Sequence, residues 1–263
     1  MSHPTTDLTK LWPVAESMAD AAREVTLRHF RERGLAADSK EVHFDPVTIA
    51  DRDAEAAMRA ILERDRPEDG ILGEEHGVKE GTSGLTWVLD PIDGTRGFIS
   101  GTPTWGVLIA VSDDTGPRLG IVDQPYIGER FMGGAGRAVV DGPLGRRDLS
   151  VRDTTALSEA VLFTTFPEVG TPEDRAGFQR VAAEVKLTRY GCDCYAYALL
   201  AAGQIDLVIE AGLQAYDIQG PLAVIEAAGG IVTDWSGGPA HMGGRVLAAA
   251  TPELHASAMA LLS

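Results

Sequence analysis

Cysteine is nearly absent: two residues, Cys192 and Cys194, stand one position apart in a chain of 263. No disulfide framework can be built from them, and a thiolate metal site needs more soft ligands. A reducing compartment is therefore expected, with both thiols as small, semi-buried side chains. Positive charge is scarce as well. Lysine and arginine number 23 against 39 acidic residues, a formal net charge of −16 that six histidines do not alter. So acidic a chain repels nucleic acid and anionic membranes, and is compatible with cationic ligands or metal ions. No uncharged apolar run reaches the length of about 18 residues that a membrane span requires. The opening MSHPTTDLTKLWPVAESMAD lacks a basic region followed by an apolar run, so no signal peptide is expected and the cytoplasm is.

What is present is an ordinary globular composition, 44% hydrophobic and 24% charged, in a chain long enough for a substantial core. Leu8, Leu11, Trp12, Ala15, Met18, Ala19, Ala22, Val25 and Phe30 recur at helical spacing, predicting an amphipathic helix that closes near Gly34. A second helix is predicted over 50–64, with Thr48 and Asp51 as a capping-box-like start. Strand-like runs follow at 70–73, 85–90, 105–112, 118–122, 129–132 and 138–140, a mainly antiparallel first half. GGAGRA at 133–138 lacks the lysine of a phosphate loop and reads as a hairpin turn. The second half alternates: strand 161–165, helix 172–185, strand 187–190, helix 195–202, strand 205–209, helix 218–228, strands 231–233 and 246–250, helix 252–262. This pattern predicts two layered halves, 1–145 and 146–263, sharing one interface in a single compact unit, with the boundary near 141–148.

Acidic residues collect where apolar strands end or helices begin. Asp45 and Asp51 bracket DPVTIAD, Glu74 and Glu75 end ILGEE, Asp90 and Asp93 lie in LDPIDGT, and Asp217 sits in YDIQGPLAVIEAAGG before a predicted helix. Strand ends of α/β sheets are where ligands bind. Each acid also has a plain structural reading. Asp51 and Asp217 could cap helices, Glu74–Glu75 could be a solvated pair, and Asp90 to Asp93 could be a turn bonded to its own backbone. Taken together they need more, because no lysine or arginine stands at matching spacing. Hard-metal binding supplies it: magnesium prefers oxygen ligands, and two ions sharing a carboxylate can activate water and stabilise a leaving alkoxide. Asp90 and Asp93 are close enough in sequence to serve both ions. Pro91 has no amide proton and leaves the Ile92 carbonyl as an extra oxygen ligand. Gly94 lets the backbone approach an anion, and the Gly94 and Thr95 amides could hold phosphate.

GEE at 73–75, WVLDPIDGT at 87–95 and YDIQGPLAVIEAAGG at 216–230 occur in the order and spacing of one group of enzymes. Over most of its length the chain resembles the inositol monophosphatase superfamily of metal-dependent, lithium-sensitive phosphatases. The resemblance implies an α+β fold, a layered αβαβα sandwich, with two or three Mg2+ ions (Mn2+ as a substitute) and a homodimer. By position in the motifs, Glu74, Asp90 and the Ile92 carbonyl would hold the first metal, and Asp90, Asp93 and Asp217 the second. Glu74 and waters would hold a third, weaker ion. Thr95, hydrogen-bonded to Asp51, would with Glu74 orient the metal-bound water for in-line attack on phosphorus, while a second water protonates the leaving alkoxide.

Two further stretches, DPIDGTRGFISGTPTWGVLIA and RYGCDCYAYALLAAGQIDLVIEAGLQAYD, look most similar to the histidinol-phosphate phosphatase branch. In that branch an arginine follows the threonine, here Arg96, and an aspartate lies in the GCDCYAY segment, here Asp193. The resemblance implies Mg-dependent hydrolysis of L-histidinol phosphate in histidine biosynthesis. Inositol-1-phosphate, or another small phosphate monoester, is the alternative substrate. Histidinol carries an ammonium and an imidazole, which a wall bearing Asp193 and Glu210 would attract. Asp193 could equally cap the helix that follows. Arg96 and Arg189 could meet phosphate or neutralise the acids, and a structural ion pair is open for either. His76 reads as a loop histidine beside the glutamates, and Trp87, Trp105 and Trp235 as core. A non-catalytic sensor of metal or phosphate on the same scaffold is the competing class. Thr95, Asp51 and Glu74 argue against it, because binding alone needs no water-orienting pair.

Overall fold

The N-terminal apolar periodicity folds as a short 3-10 turn, Leu8–Leu11, that runs into α1, Trp12–His29. A computed structural model of the chain describes residues 7–32, 38–39 and 46–262, so Asp45 lies outside the described residues. A two-stranded ribbon, β1 (Asp38–Ser39) with β2 (Pro46–Val47), precedes α2, Ile49–Asp65. The expected capping box is present at its start: Thr48 caps the helix, and the Asp51 carboxylate accepts the Thr48 N–H at 2.8 Å.

The six predicted strands of the first half, joined by two short ones that the sequence pattern does not mark, Gly77–Lys79 and Arg147–Asp148, form one eight-stranded sheet. They are β3 (Gly70–Gly73), β4 (Gly77–Lys79), β5 (Thr86–Asp93), β6 (Gly106–Asp113), β7 (Gly116–Gln124), β8 (Glu129–Gly134), β9 (Arg137–Asp141) and β10 (Arg147–Asp148). The order is β10-β9-β8-β7-β6-β5-β3-β4, antiparallel throughout except where β3 runs parallel to β5. GGAGRA is the β8–β9 hairpin turn, with Ala135 and Gly136 both at positive φ. The second half gives β11 (Val161–Thr164), α4 (Pro172–Glu184), β12 (Leu187–Tyr190), α5 (Asp193–Ala201), β13 (Leu207–Leu213), α6 (Ala215–Ala227), β14 (Ile231–Thr233), β15 (Gly244–Ala249) and α7 (Pro252–Leu262). Its sheet has the order β12-β11-β13-β15-β14.

Three large apolar cores, with a fourth, smaller one of Ala50, Ile92, Phe98 and Trp105 under the end of β5, bind these elements into the layered α+β sandwich. One packs α1 and α2 on the outer face of the large sheet through Trp12, Met18, Met58, Trp87 and Ile109. A second joins the inner faces of both sheets around α5 and α6, with Leu108, Tyr197, Ile218 and Val246. The third covers the small sheet with α4 and α7 through Phe178, Leu207, Leu247 and Leu254. Trp87 and Trp105 are fully buried as expected, whereas Trp235 is half-buried and donates its indole N–H to the Val246 carbonyl at 3.1 Å. Among the described residues no helix is long and apolar enough to cross a membrane.

Two departures from the sequence reading bear on function. A short helix, α3 (Thr95–Ser100), follows β5; six residues are too few to carry an amphipathic repeat. Helices α5 and α6 begin earlier than apolar spacing suggests, so Asp193 and Asp217 lie inside their first turns, not ahead of them.

Helix α6 lies very close to the large sheet. A Cβ built on Gly120 would stand 2.3 Å from the Gly220 carbonyl oxygen, and one on Gly133 would stand 2.3 Å from the Val224 Cα. Both neighbours are backbone and cannot yield cheaply. Gly133→Ala is expected to destabilise the protein by about 1–3 kcal/mol, as overpacking does. Urea unfolding checks this; a midpoint equal to that of the unaltered protein would mean that α6 does not need this approach.

Candidate active site

Asp90 and Asp93 are three residues apart, and in a regular strand such residues point to opposite faces. The ladder of β5 on β6 pairs Asp90 with Leu108 and Asp93 with Gly106, three steps on one strand against two on the other. This bulge lies where Pro91 has no N–H to give, and it lets both carboxylates line one cavity. Asp90 Oδ1 accepts the Ile92 N–H at 3.0 Å, so the local turn bond also exists. Asp217 arrives from the first turn of α6, where its Oδ2 accepts the Gln214 N–H at 2.7 Å. Its capping role and its place in the cluster hold together. Asp90, Asp93 and Asp217 each offer an oxygen, and these atoms lie within 4.8 Å of one another. Glu74, just after β3, lines the same cavity, and its charge acts on Asp90.

Burial, then the charges of Glu74, Asp93 and Asp217, push the Asp90 carboxyl well above the usual range. Asp93 is raised by burial and by Asp193 and Asp217, although the Cys194 N–H donates to its Oδ2 at 2.6 Å. The cluster is thus short of positive charge and made wholly of hard oxygen donors. That donor set fits a divalent cation such as Mg2+.

Thr95 opens α3 beside this cluster. Its Oγ1 lies 3.1 Å from the Ile92 carbonyl oxygen and 3.4 Å from Asp51 Oδ1, either of which can accept its proton. Asp51 is buried, and its second oxygen is fixed by the Thr48 hydroxyl at 2.6 Å. Gly94, the residue before α3, has φ +83°, and a Cβ there would stand 2.9 Å from Asp193 Cγ. Glycine at 94 therefore serves both the left-handed turn and the approach of Asp193.

Glu74, Ile92, Gly94, Thr95, Arg96, Asp193 and Glu210 share one cavity of about 320 Å³ with the three aspartates. Asp193 has φ +44° and makes no side-chain cap to α5, so the capping role is not taken. Its carboxyl is raised to about 6 by burial, with Arg96 opposing. Glu210 on β13 is raised to about 7 by burial, partly offset by the Thr165 N–H, which donates to it at 2.6 Å. Arg96 is at the rim, its guanidinium 5.0 Å from the Phe166 ring centroid. Arg189 is elsewhere: it sits exposed on the edge strand β12 and does not line the cavity. His76 is exposed, its Nε2 3.1 Å from the Arg52 carbonyl oxygen.

The sequence reading passed over Phe166, Cys194 and Tyr197, which also line the cavity. Tyr197 stands four residues beyond Asp193 on α5, a helical neighbour that spacing alone could have found. Phe166 follows β11, parallel to the β13 strand that carries Glu210; only the pairing reveals it.

Residues 7–263 match the inositol monophosphatase family. The chain is 45% identical over 234 residues to the bifunctional phosphatase IMPL2, chloroplastic, of Arabidopsis thaliana; the match covers 88% of this chain and 66% of that protein. It is 36% identical to a histidinol-phosphatase of Mycobacterium tuberculosis, over 89% of this chain and 91% of that one. Among solved structures, an inositol monophosphatase from Zymomonas mobilis superposes with a TM-score of 0.86 at 40% identity, covering 97% of this chain and 98% of the other.

Asp193 and Glu210 titrate near 6 and 7 in the fold, against ordinary values of 3.8 and 4.5. A carboxyl raised on folding stabilises the protein fully below its unfolded pKa. That contribution is lost as pH rises through the folded value. Metal-free protein is therefore expected to melt at a lower temperature at about pH 8 than at about pH 5, and Mg2+ to raise Tm more at the higher pH. Calorimetry giving equal Mg2+ shifts at both pH values would contradict this.

Proposed function

The chain belongs to the inositol monophosphatase family of metal-dependent phosphatases, and from that premise we propose that it hydrolyses L-histidinol phosphate to L-histidinol and phosphate. The observation that carries the reading is the second acidic wall, Asp193 and Glu210, in the same cavity as Asp90, Asp93 and Asp217. Family inositol enzymes also use a glutamate matching Glu210, so Asp193 is the discriminating group: a neutral polyol gains little from it, whereas an ammonium and an imidazole are drawn to it. The histidinol-phosphatase name of the Mycobacterium relative supports this substrate. The inositol monophosphatase name of the Zymomonas structure makes inositol-1-phosphate the alternative to test.

In this reading Glu74, Asp90 and the Ile92 carbonyl would hold one Mg2+ ion, Asp90, Asp93 and Asp217 a second, and Glu74 a weaker third. Bound there, such ions supply Lewis-acid charge that offsets the phosphate and makes a water more acidic. The chain's own groups do the positioning. Asp51, fixed by Thr48, accepts the Thr95 hydroxyl proton and turns a Thr95 lone pair toward the attacking water. Glu74 takes the water's other hydrogen bond. Water oxygen adds to phosphorus as the P–O bond to histidinol breaks, and the departing oxygen gains a proton, so ester and water give alcohol and phosphate. The Gly94 and Thr95 amides receive phosphate oxygens, and Arg96 at the rim attracts the incoming dianion.

Asp93→Asn is expected to remove nearly all phosphate release, and a strong chelator to abolish it. Asp193→Asn keeps a residue that tolerates positive φ and removes the charge. Losing one charged hydrogen bond of about 1.5–3 kcal/mol should cut kcat/KM for histidinol phosphate about tenfold to a hundredfold, with little change for inositol-1-phosphate. Glu210 ionises above about 7, so KM for the cationic ester should fall as pH rises through that value, and flatten in Glu210→Gln. A clear preference of the unaltered enzyme for inositol-1-phosphate would overturn the assignment.

A further inference from the structure

We propose that Glu55 is a positioning residue for Glu74, so that a single face of α2 sets both members of the water-orienting pair. The inference rests on the roles given above to Glu74 and Thr95. Glu55 is fully buried, a costly place for a carboxylate unless its oxygens are satisfied. They are satisfied by one turn and by Arg59 of the same helix. The Glu75 N–H donates to Oε2 at 2.7 Å, the His76 N–H to Oε1 at 3.2 Å, and Arg59 Nε to Oε1 at 2.7 Å. Arg59 also donates to the Gly77 carbonyl, so the Glu55–Arg59 pair clasps residues 75–77 between β3 and β4. On its other side the turn is held by the Glu74 N–H, which donates to the Leu89 carbonyl at 3.2 Å.

Gly73 fits the same account. A Cβ there would stand 2.0 Å from Glu55 Oε1, so the glycine before Glu74 is the space the buried carboxylate occupies. Asp51 lies four residues earlier on α2 and therefore on the same face. From that face Asp51 reaches Thr95 and Glu55 reaches the turn that begins at Glu74. Rotation or sliding of α2 would move both together, which keeps the separation of the two groups constant. An apolar residue at 55 would fill the space without aiming Glu74.

Glu55→Gln keeps the volume but points an amide at N–H donors. It is compared with the unaltered protein in Mn2+ binding followed by calorimetry, in the Mg2+ midpoint for activity, and in thermal unfolding. Outer partners of metal ligands are commonly worth about 10–100-fold, and that loss is expected in Mn2+ affinity and in kcat, with KM changed less than about threefold. The decisive readout is the cycle with Glu74→Gln: the double variant should be no worse than Glu74→Gln alone, within about threefold. Unchanged Mn2+ affinity and kcat would overturn the proposal, as would losses that multiply with those of Glu74→Gln, whatever happens to Tm. Glu55→Asp, which shortens the reach and keeps the charge, takes the same readouts if the glutamine variant does not fold. An unaltered protein that binds Mn2+ but turns over no phosphate ester would defeat the functional reading, while the Mn2+ arm still judges Glu55.

Discussion

Carboxylates buried together repel, and this chain gathers Glu74, Asp90, Asp93 and Asp217 around one hollow where Asp193 and Glu210 add to the field. Such a concentration of like charge is unstable by itself and calls for cations. The surrounding architecture can be understood as the means of holding these groups still. Helix α6 presses onto the sheet at Gly120 and Gly133 to bring Asp217 in, and the β5 bulge turns Asp93 to the side of Asp90. Backbone N–H groups of Ile92, Cys194 and Gln214 then fix one aspartate each.

The donors that fix the acids come from different layers. Asp93 belongs to the large sheet and bonds an amide of α5; Asp217 belongs to α6 and closes a capping box on its own helix. Asp51 belongs to the outer helix layer and meets Thr95 on α3. A ligand in the cavity therefore touches the large sheet, α3, the inner helices and, through Glu210 on β13, the small sheet. Few other places in such a sandwich offer convergence from so many layers, which is the physical reason the chemistry sits at the strand ends.

Much of this was legible from the chain alone. The capping box at Thr48, the strand order of events from Gly70 to Val140, and the acids at element ends all follow from local patterns, because each depends on neighbours in sequence. The layered sandwich came from the motif resemblance, not from periodicity. What stayed hidden depended on pairing. Spacing alone sets Asp90 and Asp93 on opposite faces, and only the register slip against β6 shows otherwise. Arg189 looked suited to the site beside the GCDCYAY segment, yet β12 is an edge strand and carries it away. Helical spacing does not single out Glu55; the turn after β3, folded over it, does.

Asp193 adopts a left-handed backbone, and the next residue's amide is the one that grips Asp93. The proposed recognition wall and the carboxylate cluster are thus joined through consecutive residues of one stretch of main chain. Laboratory evolution toward a new ester that reshapes this segment will drag the cation cradle along with it. Changes that broaden the repertoire should accordingly concentrate just after β11, where Phe166 lines the cavity without holding any of the three clustered aspartates.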